Sequence, residues 1–72
     1  MEREENGVAF MGERIASLRR ARGMTLRQLG ECLGVSAQAV HKWEKGINYP
    51  DIALIPAVAH ALGVSVQVLF GE

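Results

Sequence analysis

Between Thr25 and Gly46 the chain reads TLRQLGECLGVSAQAVHKWEKG, and the three residues Gly34-Val35-Ser36 in its middle restrict the fold more than any other feature. Apolar residues at helical spacing stand on both sides, Leu29 and Leu33 before the joint and Val40 and Trp43 after it. A Gly at position 34 can take the left-handed conformation that ends a helix without a Cβ penalty. Val35 can plug into a core, and Ser36 can cap the next helix. A joint this short holds two short helices at a steep angle.

The sequence has 72 residues, two of them Pro and one Cys. A chain of this length buries only about 60% of the surface its unfolded form exposes, so one compact domain is the upper bound. One Cys allows no internal disulfide and is the usage of a reducing compartment. No apolar run approaches the ~18 to 20 residues of a membrane span, and the acidic start MEREEN is not a secretory signal. The expectation is a cytoplasmic domain with no membrane contact.

The formal net charge is zero, which on its face argues against a phosphate-rich partner. Its distribution argues otherwise. Between Glu13 and Tyr49 stand Arg14, Arg19, Arg20, Arg22, Arg27, Lys42 and Lys45 against Glu13, Glu31 and Glu44, a net +4, while each flank carries −2. The basic excess coincides with the two short helices and their surroundings, although a solvated mixed-charge surface produces such an asymmetry too.

Residues 1–11 are expected to form a flexible N-terminal arm, with Phe10 and Met11 able to pack against the folded unit, and residues 12–71 the domain itself. Helix one runs from Gly12 to Arg22, with Ile15, Ala16 and Leu18 inward, and stops at Gly23. Thr25 and Gln28 fit a capping box, with Met24 as the staple residue before it. Helix two follows from Leu26 to Leu33. Gly30 inside it costs about 1 kcal/mol relative to Ala; either helix three passes close to its backbone, or it is a tolerated imperfection. In helix three Ala39, Val40 and Trp43 face inward, leaving Ala37, Gln38, His41 and Lys42 outward. After the loop Gly46 to Pro50, helix four begins near Ile55 with Pro56 in its first turn, where a missing N–H costs nothing. Gly63 ends it. Ser65 caps a last helix, Val66 to Phe70, too short to be stable unless it packs against the core or a partner chain.

An enzyme is not expected: there is no Ser-centred elbow, glycine-rich phosphate loop or HExxH, and Asp51, His41 and His60 are isolated. One Cys and two widely spaced His do not make a structural zinc site, and no cofactor is expected. Cys32 reads as a partly exposed thiol, with a buried inert one as the alternative.

These segments in this order resemble the DNA-binding domains of phage repressors and Cro proteins, the XRE-type bacterial regulators. The resemblance covers Gly12 to Gly71. It rests on GERI with Leu18 and Arg19, on Thr25 and Leu29, on Leu33 to Ser36, on Val40, Trp43, Glu44, Gly46 and Pro50, and on Ala61 to Ser65. It implies an all-α, compact five-helix lambda-repressor-like fold whose helices two and three form a helix-turn-helix. Leu29, Gly30, Gly34, Val35, Val40 and Trp43 correspond to its framework. It also implies an ion pair between Arg19 and Glu44 that orients the guanidinium beside a phosphate. Leu26 departs from the pattern, which has Gln there; Leu donates no hydrogen bond, so phosphate contacts near it fall to helix N-terminal N–H groups or Arg27.

With helix three in the major groove, Ala37, Gln38, His41 and Lys42 are the expected base-reading residues. Gln38 suits adenine, Lys42 suits guanine, and the Ala37 methyl suits a thymine methyl. Arg19, Arg27, Lys45, Asn48 and N–H groups around Gly46 are the expected phosphate contacts, while Arg14, Arg20 and Arg22 read as solvated charge. One domain contacts too few base pairs for genomic selectivity, so a homodimer on a palindromic double-stranded operator is expected. Val66, Leu69 and Phe70 are its candidate interface, with closure of the monomer core as their alternative role. The expected function is a dimeric, sequence-specific transcriptional regulator, most simply a repressor. The alternative is a protein-interaction module with the same fold, or one part of a longer regulator with a partner or effector domain.

Overall fold

The computed structural model describes residues 7–71, and side chains from Phe10 onward. Its elements are α1 (Gly7–Ala21), α2 (Leu26–Leu33), α3 (Ala37–Glu44), a 3-10 turn (Ile52–Leu54), α4 (Ile55–Leu62) and α5 (Val66–Leu69). The domain is all-α, with the helix-turn-helix formed by α2 and α3.

Three corners are cut to one pattern: a left-handed Gly, an apolar residue, then a hydroxyl that caps the next helix. Gly23, Gly34 and Gly63 have φ of 69°, 73° and 74°. The following N–H reaches back five residues to close the old helix, from Met24 to Arg19, Val35 to Gly30 and Val64 to Ala59, at 2.9 to 3.1 Å. Thr25, Ser36 and Ser65 then accept from the backbone N–H of Gln28, Ala39 and Val68. At Thr25 the box is complete, since the Gln28 side chain accepts from the Thr25 N–H at 2.8 Å. Between α3 and the 3-10 turn the pattern starts at Gly46 (φ 75°) but lacks a cap two residues later. The chain runs on to Asp51, which accepts from the Ala53 N–H at 2.9 Å.

The core is built by one face of each helix. Ile15, Leu29, Val40, Val58 and Leu69 are completely enclosed, with Met11, Trp43, Ile55, Ala59 and Leu62 around them. Burying a side chain of this kind contributes about 1.5–3 kcal/mol, so this cluster is the main source of stability. Pro56 sits in the first turn of α4, as its missing N–H requires.

Two sequence expectations change, and the choice between core and interface for the last helix is divided by residue. Helix α1 starts at Gly7, not Gly12, and Met11 is buried in the core; the folded unit therefore includes residues assigned to the arm, whose residues 1–6 lie outside the described ones. Gly30 makes room for the joint and not for α3, because a Cβ there would stand 2.6 Å from the Val35 carbonyl oxygen. Leu69 is fully buried and closes the monomer core, and Val66 packs half-buried against it. Of the three candidate interface residues only Phe70 is exposed, at 56%.

Candidate nucleic-acid interface

Helix α3 has two unlike faces. Val40 and Trp43 point into the core, and Ala39 packs against it. Gln38, His41 and Lys42 are exposed together on the other side, with Ala37 half-buried in the first turn. Gln and Lys at i and i+4 lie on one helical face, so their polar ends project in one direction. Lys45 and Asn48 are exposed just beyond the helix end. The N–H groups around Gly46 are committed: Lys45 donates to His41, Gly46 to Trp43 and Ile47 to Lys42 at 2.9 to 3.0 Å. They close the helix and are not free for a phosphate.

Behind this helix, Arg19 from α1 grips Glu44. Its Nε donates to Glu44 Oε2 at 2.6 Å and Nη2 to Oε1 at 3.0 Å, while Nη1 donates to the Met24 carbonyl at 2.8 Å. Arg19 is only 9% exposed. The hydrogen bond to Glu44 raises the guanidinium pKa above its ordinary value; burial opposes this, and the carboxylate's charge adds to it. The fork thus ties α1, the α1–α2 joint and the end of α3 together, leaving one N–H on each Nη.

Helix α2 contributes differently. Leu26 turns toward the core and packs half-buried against it. Arg27 is exposed beside Glu31, with Nε 3.3 Å from Oε2, one helical turn on. With the cap holding the Gln28 N–H, the backbone N–H groups of Leu26 and Arg27 are left at the helix N-terminus.

A profile of the helix-turn-helix family matches residues 15–69, well over half the chain. The chain belongs to that family. Its likeness to phage repressors extends to solved structures: the P22 c2 repressor protein in complex with a synthetic operator superposes with a TM-score of 0.80 at 33% identity, over 83% of this chain and 91% of that one. The clp gene regulator ClgR of Corynebacterium glutamicum gives 0.87 at 33% identity, over 93% of this chain and 71% of that one. An uncharacterised HTH-type transcriptional regulator of Rickettsia prowazekii is 36% identical over 62 residues, 86% of this chain and 48% of the relative. The chain spans about half the length of the curated relatives it matches.

Two features of the helix-turn-helix domain escaped the sequence reading. Arg14, expected as solvated charge, is instead half-buried, its Nε enclosed without a hydrogen-bond partner among the described residues, and its guanidinium lies against Gly71. The second is an apolar cleft of about 270 Å³ lined by Met11, Tyr49, Pro50, Ile52, Ile55 and Phe70. Ile52 projects beside it, 84% exposed. The signal for it was the run Ile47 to Ile52, too rich in large apolar residues for an ordinary solvated loop. Cys32 is exposed. Among the described residues no cluster of three His, Cys, Asp or Glu is placed to hold a metal, and no helix is long and apolar enough to cross a membrane.

Proposed function

We propose that this domain binds double-stranded DNA sequence-specifically as a two-fold dimer, with α3 in the major groove, and represses transcription in the cytoplasm by occupying a promoter. The observation that carries the reading is the division of α3: Val40 and Trp43 are buried while Gln38, His41 and Lys42 stand exposed on a helix fixed at both ends. Such a helix presents donors and acceptors at a set angle, as direct readout requires. Gln38 pairs with adenine, Lys42 with guanine O6 and N7, and the Ala37 methyl meets a thymine methyl; His41 joins as donor or acceptor. Arg27, Lys45, Asn48 and the first N–H groups of α2 meet phosphates, and the two uncommitted N–H bonds of Arg19 can add one more.

The operator is a palindrome because the partner is a second copy. The cleft beside Ile52 and Phe70 sets an apolar knob next to an apolar hole on one surface, the arrangement an isologous contact needs. Repression draws support from the structural likeness to the P22 c2 repressor. A second reading, a protein-interaction module on the same fold, is favoured by Leu26, which places an apolar side chain where a polar one would brace the reading helix.

Selection from random duplex DNA separates the two, with wild type compared against a Gln38→Ala, Lys42→Ala double variant. The expected result is a short palindrome enriched by wild type and lost in the variant, with affinity that falls steeply as salt rises. Enrichment of no sequence by wild type, or binding to a protein partner that salt leaves unchanged, would sink the DNA-reading proposal in favour of the interaction module.

A further inference from the structure

Helix α1 touches α3 at a second point, two turns before Arg19. Gly12 lies inside α1, where glycine costs about 1 kcal/mol relative to Ala, and its helical backbone requires no glycine. The neighbour explains it. A Cβ on Gly12 would overlap the carbonyl oxygen of Trp43 and stand 3.0 Å from that of Glu44. Both are main-chain atoms at the C-terminal end of α3, and Trp43 is buried, so neither can yield as a flexible side chain would. Seven residues on, and therefore on the same face of α1, Arg19 grips the Glu44 carboxylate.

We propose that Gly12 is a positioning residue for DNA recognition: with the Arg19–Glu44 fork it lets α1 seat the C-terminal end of α3, and so sets the tilt at which Gln38, His41 and Lys42 meet the bases. The proposal rests on the DNA-reading function above. Gly12 is buried, so its part in recognition is indirect. The N-terminal end of α3 is held separately, by the joint and the Ser36 cap. A methyl group at position 12 must push the far end of α3 outward, which rotates the reading face about that fixed end. Bidentate base contacts tolerate this poorly because both bonds need the planar fit. Phosphate contacts, made by long side chains to a uniform backbone, tolerate it well.

The test compares wild type and Gly12→Ala on the duplex that wild type selects and on an unrelated duplex, at a temperature where circular dichroism shows both proteins folded. The variant is expected to lose about tenfold or more in affinity for the selected duplex, the effect of roughly one bidentate contact, with affinity for the unrelated duplex nearly unchanged. In the free protein the amide resonances of α3 are expected to move more than those of α4 and α5. A variant of lower melting temperature that discriminates as well as wild type would overturn the proposal and leave Gly12 a packing residue. Should Gly12→Ala not fold, Arg19→Lys loosens the same seam without a clash; undiminished discrimination there overturns the proposal equally. Failure of the DNA-reading function itself is recognised separately, in a wild type that prefers no sequence, and it removes this inference too.

Discussion

Glu44 shows what a single side chain carries. Among the described residues its carboxylate is the acid bonded to Arg19, and the pair's side chains are 11% and 7% exposed. Glu44→Ala would leave a guanidinium enclosed without its counter-charge. Removing one member of a buried pair costs about 3–5 kcal/mol, a large part of the stability of a domain this small. Urea denaturation is expected to show a loss near that size for Glu44→Ala and a smaller one for Glu44→Gln, which keeps an acceptor. Equal stability of the alanine variant and wild type would show that the fork contributes nothing net. Because the Arg19 pKa is raised on folding, its contribution is fully present below the unfolded value and lost only as pH rises through the folded one. The guanidinium side of the pair therefore stays intact from neutral into strongly alkaline conditions. Gly30 marks where residue-level reading stops: its cost inside a helix announced a close neighbour, but the sequence could not tell the Val35 carbonyl from a passing helix, since both stand within a few residues of it.

The helices were legible wherever their ends are local chemistry. Thr25 with Gln28, Gly34 with Ser36, and Gly63 with Ser65 each write a boundary within four residues, and the structure puts the boundaries there. Each cap is expected to contribute about 1 kcal/mol, so Ser36→Ala and Thr25→Ala should each lower the urea midpoint by that equivalent. Gly34→Ala should cost a similar amount, since φ is 73° there. A Gly34→Ala variant as stable as wild type would mean that the joint relaxes away from the left-handed conformation. The start of α1 was not legible. Its first turn holds no acidic residue, and what shows Met11 to be part of the folded helix is burial against distant residues. The 3-10 turn was hidden for the same kind of reason, with Pro50 and Pro56 both reading as breaks around it.

Over the whole molecule, the exposed face of α3 could be anticipated because it is the complement of a periodic core stripe. The cleft could not, since Met11, Tyr49 and Phe70 meet only through the closed fold. If the cleft joins two copies, Ile52→Glu sets a charge on the knob and should shift sedimentation equilibrium to monomer while leaving the helical spectrum unchanged. A dimer of undiminished strength would place the interface elsewhere. The corners carry a different lesson. Three of them, at Gly23, Gly34 and Gly63, turn the chain within three residues, each committed at once to ending one helix and starting another. An insertion in any of these would break a closing bond or misplace a cap. The corner at Gly46 has no such double commitment, and the exposed Ile47, Asn48 and Tyr49 lead from it to the buried Pro50. Among chains of this build, gain and loss of residues belongs between Ile47 and Pro50, and with it the freedom to acquire new neighbours without redesigning the reading helix.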